Sequence, residues 1–340
     1  MSAINASGHN RQNGLFLATT IALISFASSL AAQDNNGVQT AIGQGNTVSP
    51  ALRIERTPDD NAPALSPRPP SGVRSYDGSG NNVAMLTLGQ AKQPLRRICP
   101  AEYTDHISSM AGATRPSPRA ISNAINAQSV AHANSQHLSD MFWQWGQFLD
   151  HDMDLSGGMD PPESAPIAVP MGDPEFDPQS TGTQTIALNR SIYLPSSGTG
   201  IANPRQQLNE LSNWIDGSQV YGSSEERALA LRTLDGTGRL RSSDNGMLLP
   251  LALNGDPAPG AAYEFFAGDA RVDEQVGLTS MHTLFMREHN HQVARLHQRH
   301  PNWSDEQLYQ GARAIVGAEI EKITYDEFLP LLIGKHALPR

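Results

Sequence analysis

Apolar residues recur at helical spacing in five stretches of the chain. Ala120, Ile121, Ala124 and Ile125, preceded by Pro-rich turns, predict a helix over 118–128. Leu138, Met141, Phe142, Trp145, Phe148 and Leu149 form a broad apolar surface on a longer helix over 136–152. Helical pattern returns over 224–234, strongly over 276–300, and again over 304–321, where Asp305 and Glu306 charge the helix start. Between these stretches, residues 156–204 are rich in Gly, Pro, Ser and Thr, the composition of a long loop that is functional or wraps a neighbour. Residues 33–72 carry Asn35-Asn36-Gly37 and prolines at 50, 58, 63, 67, 69 and 70 with little periodicity, which predicts a flexible arm. Order is expected from about Arg74-Ser75-Tyr76-Asp77-Gly78 onward. Strand patterns are scarce, so the expected class is mainly α, with long loops.

Composition narrows the functions. The 340 residues are 38% hydrophobic and 17% charged, an ordinary globular balance. A formal net charge of −10 argues against a nucleic-acid partner. Residues 1–32 read as a secretory signal: Arg11 precedes an apolar run from Leu15 to Ala27, and Ser29-Leu30-Ala31 supplies small residues for cleavage. The run is short and broken by Thr19, Thr20 and Ser25, so no stable membrane span is expected and the product should be secreted or periplasmic. Cys99 is the single cysteine and cannot form a disulfide within the chain; a buried structural thiol is expected there. Nothing in charge or pattern sets the oligomeric state.

Three segments carry chemistry. In Gln144-Trp145-Gly146-Gln147-Phe148-Leu149-Asp150-His151-Asp152, helical geometry puts Gln147, Asp150 and His151 on one face and turns Asp152 away. Aromatic flanks imply that the helix is buried, where polar groups need partners or a purpose. In Leu211-Ser212-Asn213-Trp214-Ile215-Asp216-Gly217-Ser218, side-chain oxygens alternate at Ser212, Asp216 and Ser218, and the Trp214 carbonyl can fill the gap, an oxygen-only set suited to calcium. Arg271 and Glu274, three apart at a helix entrance, can face one pocket.

Taken in order, 74–78, 117–123, 144–152, 212–222, 271–290 and 324–330 resemble the animal-type haem peroxidase family from residue 73 to the C-terminus, a domain over 73–340. The resemblance implies haem b and calcium as cofactors, and hydrogen peroxide with a small reducing donor as partners. His151 matches the distal base that moves a proton between the peroxide oxygens. Arg271 matches the distal arginine that stabilises charge on the departing oxygen, and Gln147 the residue that orients distal water or halide. Asp150 and Glu274 match the carboxylates ester-linked to haem in this family. Gln275 stands where some members carry a methionine that forms a third link. Asp152, Ser212, Trp214, Asp216 and Ser218 match the calcium ligands. In the family the proximal histidine lies downstream of the Leu329-Pro330 motif. The C-terminal part with that ligand is therefore expected to be missing here, and His336 is not expected to replace it. Two alternatives stand beside a peroxidase: a haem fatty-acid dioxygenase of the same superfamily, and a secreted calcium-binding or adhesion protein with a peroxidase-like shell.

Overall fold

The computed structural model describes residues 72–112, 114–252, 265–335 and 337. The expected signal over 1–32, nearly all of the arm over 33–72, and His336 lie outside the described residues.

Helices dominate. In chain order they are α1 (Pro118–Asn126), α2 (Met141–Met153), α3 (Ser218–Tyr221), α4 (Glu225–Leu231), α5 (Val276–Arg299), α6 (Asp305–Ile323) and α7 (Leu329–Leu332), with a π-turn over Thr324–Phe328 between the last two. Among the described residues, four two-residue strands make two antiparallel pairs: β1 (Gln93–Pro94) with β4 (Leu208–Asn209), and β2 (Ile167–Ala168) with β3 (Thr185–Ile186). The mainly α expectation holds. Caps set several boundaries: Ser117 and Ser224 accept from Ala120 and Arg227 backbone N–H groups, and Ser304 with Gln307 forms a reciprocal capping box. Helix α2 starts about one turn later than its apolar pattern suggests, because His137 adopts φ 55°, a left-handed conformation that a helix cannot propagate through.

α5 packs along α6, while α2 and α3 pack against α5. The core between them is aromatic. Phe148, fully buried, lies 5.0 Å from Phe285 in a stacked pair and meets His282 edge-on at 5.1 Å. Full burial of such a ring stabilises by roughly 2–3 kcal/mol. The 156–204 segment is a pinned loop: Glu163 binds Arg190 at 2.5 Å and Arg205 at 2.7 Å, and Asp173 receives Arg119 and Asn123. Cys99 departs from expectation, for it is exposed. Arg97 is tied to the Arg205 carbonyl at 2.6 Å, and the chain beyond it runs along the surface with Ile98 99% exposed.

Candidate active site

The last turns of α2 present the candidate side chains. Gln147 and Asp150 are partly buried, and His151 is only 2% exposed. Across from them a short 3-10 turn over Ala270–Asp273 begins at Asp269, whose side chain accepts the Arg271 backbone N–H at 2.8 Å. The Arg271 guanidinium folds back onto the same carboxylate, with Nε at 2.9 Å and Nη2 at 3.0 Å, and Nη2 also donates to the Asp154 carbonyl at 2.9 Å. A bidentate pair of this kind fixes the plane of the cation as well as its position. Arg271 Nη1 then lies 3.7 Å from Asp150. His151 sits between two carboxylates, Nδ1 3.6 Å from Asp269 and Nε2 3.8 Å from Glu274. Gln147 Nε2 donates to Glu274 at 3.0 Å. Gln147, Asp150, His151, Arg271 and Glu274 therefore converge, although 120 residues separate His151 from Arg271.

Burial decides the charges. It pushes the His151 imidazole down to about 3, Asp269 pulling the other way while Arg271 and His282 add to the fall. His151 is thus neutral at pH 7, able to accept a proton. Burial alone would raise Asp269, but the Arg271 cation outweighs it and holds that carboxyl well below the usual range. Asp150 is pushed up to about 7 by burial and by Asp154, and burial raises Glu274 as well. The side chains of these two carboxyls remain 37% and 48% exposed while Asp269 behind them is shut away, so a ligand lying on this face would touch both. That arrangement fits the distal edge of a haem. Of the other histidines on α5, His282 and His289 are buried and bound through Nδ1 to the Gln219 carbonyl and the Tyr221 hydroxyl, whereas His291 and His297 are exposed.

One residue further on, Asp152 faces the opposite way, as the helical spacing requires. It is fully buried and accepts from Ser218 N at 2.5 Å, Ser218 Oγ at 2.8 Å and Gly217 N at 3.1 Å. Ser212 Oγ donates to Asp216 Oδ2 at 2.7 Å, which leaves the buried Asp216 Oδ1 with no hydrogen-bond partner. Burial raises both carboxyls, and the Asp216 charge raises Asp152 further. Two buried like charges with an orphaned carboxylate oxygen beside hydroxyls are the donor set that a hard dication would neutralise. Trp214 borders this region with its indole against Gly89, and the hydrogen bonds joining the other four residues do not include it. Among the described residues no three His, Cys, Asp or Glu side chains cluster as a metal site, so a cation here depends on hydroxyl and carbonyl oxygens as well.

Asp269 had no role assigned from sequence, yet it holds Arg271 through two hydrogen bonds from the guanidinium and lies 3.6 Å from His151 Nδ1. Its only sequence signal is an N-cap aspartate two residues ahead of the arginine. Gly268 is needed beside it, since a Cβ there would lie 2.3 Å from the Ser218 carbonyl.

Known proteins share sequence and fold with this chain. The profile of the family described as animal haem peroxidase matches residues 73–340. Peroxinectin A of Dictyostelium discoideum is 36% identical over 276 residues, covering 77% of this chain and 51% of the relative. The solved structure of peroxidase A from Dictyostelium discoideum superposes with a TM-score of 0.68 at 34% identity, over 77% of this chain and 53% of that one. A fatty acid alpha-dioxygenase of Arabidopsis thaliana shares the fold alone, with a TM-score of 0.59 at 20% identity over 74% of this chain and 36% of that one. The chain thus spans about half the length of the first two proteins. With a matching profile over residues 73–340, the chain belongs to the animal haem peroxidase family.

Proposed function

We propose that the protein serves as a hydrogen-peroxide-dependent haem peroxidase oxidising halides or small organic donors, and that this chain supplies its distal pocket. The observation that carries this is the convergence of a buried imidazole with a guanidinium locked by a buried carboxylate. Haem b would be held through Asp150 and Glu274, and when bound it supplies the redox-active iron. His151 takes a proton from one peroxide oxygen and returns it to the other. Arg271, already fixed by Asp269 and the Asp154 carbonyl, stabilises negative charge on the departing oxygen without reorganising. Gln147 offers a hydrogen bond at the pocket edge. Calcium bound by Asp152, Ser212, Asp216, Ser218 and the Trp214 carbonyl would hold the end of α2 and so fix His151. The signal-like residues 1–32 support export. No described helix is long and apolar enough to cross a membrane.

Identity to the Dictyostelium peroxidase A, at 34%, exceeds the 20% to the Arabidopsis dioxygenase, which favours peroxide over a fatty acid. Titrating the full chain with haem and calcium tests the cofactor set. A Soret band shifted from that of free haem, and weakened by Asp150→Ala with Glu274→Ala, is expected. Calcium binding with no Soret change would instead support a calcium-binding shell.

A further inference from the structure

We infer that Gln275 is a positioning residue that dictates which end of the Gln147 amide faces the pocket, so that the pocket edge presents an N–H donor. The assignment rests on the proposed function only in taking Gln147 as a pocket residue. A glutamine amide has an acceptor end and a donor end of nearly the same shape, so its orientation must be settled by partners whose roles are not interchangeable. Such a partner exists at the start of α5. The Gly277 backbone N–H can only donate, and it donates to Gln275 Oε1 at 2.7 Å, the N-cap bond of the helix.

With Oε1 anchored there, the Gln275 NH2 group must point the other way. It donates to Gln147 Oε1 at 2.9 Å and to Gln144 Oε1 at 2.6 Å. Gln144, 6% exposed, returns a bond from Nε2 to Gln275 Oε1 at 3.3 Å and closes an amide pair. Because Gln147 Oε1 is taken by Gln275, its NH2 end is the one that reaches Glu274, at 3.0 Å. A carboxyl group can accept or, when protonated, donate, so Glu274 alone would not set this direction. The direction comes from a helix cap, relayed through one side chain. Gly277 permits the relay, since a Cβ there would lie 2.5 Å from the Gln144 amide. An N–H donor at this edge suits a ligand with lone pairs or negative charge, meaning a peroxide oxygen or a halide, and is unfavourable to a cationic donor substrate.

The test is nitrogen-15 NMR of the side-chain amides in the full chain, with the Gln147 pair identified by its disappearance in Gln147→Glu. In the wild type its solvent exchange should be about tenfold slower than that of a free glutamine, as one retained hydrogen bond implies. Gln275→Glu keeps an oxygen for the Gly277 cap but puts an acceptor where the NH2 donor was, so the Gln147 amide should turn its NH2 group toward the new carboxylate, shifting the pair while keeping it protected. Gln275→Met, which offers neither donor nor acceptor, should free the amide to turn, shift the pair and speed its exchange, and replaces the glutamate variant if that one does not fold. Free-glutamine exchange in the folded wild type, or resonances of the pair unmoved in a folded Gln275 variant, overturns the inference. Neither readout needs haem, so a locked Gln147 in a chain that fails to bind haem would count against the proposed function and leave the relay standing.

Discussion

Asp269 is the carboxylate on which the pocket turns, and its removal has a calculable consequence. Asp269→Ala leaves the Arg271 guanidinium, whose side chain is only 19% exposed, with the Asp154 carbonyl and a distant Asp150 as partners. Breaking a buried pair by deleting one member costs about 3–5 kcal/mol, and the partial exposure of Arg271 places the expected loss near ~3 kcal/mol. For a domain of this size each kcal/mol corresponds to a fall of roughly 2–4 °C, so unfolding should move down by about 6–12 °C. The assay is thermal unfolding of the full chain by circular dichroism. It should be run as a cycle with Arg271→Ala, which strands the buried Asp269 charge in turn. The double variant should lose much less than the sum of the singles, with a coupling of about 2 kcal/mol. A shift under about 2 °C for Asp269→Ala, or strict additivity, would refute the view that Asp269 and Arg271 form one buried unit.

Other predictions follow from the same contacts. His289, buried and pushed down to about 4, is protonated in the unfolded chain before it is in the folded one. Its contribution is complete above about pH 6.5 and is lost as pH falls toward 4, amounting to about 2 kcal/mol by pH 5. His289→Asn should flatten the pH 7 to 5 stability change by that amount in denaturant titrations, and an unchanged slope would contradict it. Calcium at a hundred times its dissociation constant should raise stability by about 2.7 kcal/mol over chelator, an effect that Asp216→Asn removes; equal melting with calcium and with chelator would count against the site. Gly268→Ala drives a Cβ into three backbone atoms of α3 and the residue after it, and should destabilise by about 3 kcal/mol or more in the same melts. Phe148→Ala, which empties a fully buried position between Phe285 and His282, should cost about 3–5 kcal/mol by denaturant unfolding.

What could be read from sequence divides along a physical line. The long helices were legible because their apolar residues recur with the period of the structure, and α5 over Val276–Arg299 matches its pattern almost to the residue. Gln147, Asp150 and His151 were legible because one helix places them, by spacing alone, on one face. Asp269 was not, because its meaning lies in its approach to His151, more than a hundred positions away in sequence. The Gln275 relay was hidden for the same reason: amide orientation is a property of partners, not of order. Periodicity also overstated burial in α1, where Ile121 is 43% and Ile125 74% exposed. Cys99 misled in the same direction, since an apolar-basic neighbourhood in sequence says nothing of where Arg97 ties the chain.

The central claim is that His151 moves the peroxide proton. The most direct measurement is peroxide-dependent oxidation of a small phenolic donor by the haem-loaded protein, in wild type and His151→Ala at matched haem occupancy. The account predicts a fall of about 10²–10⁴-fold in the rate of reaction with peroxide while haem binding is retained. Equal rates in the two proteins would contradict it.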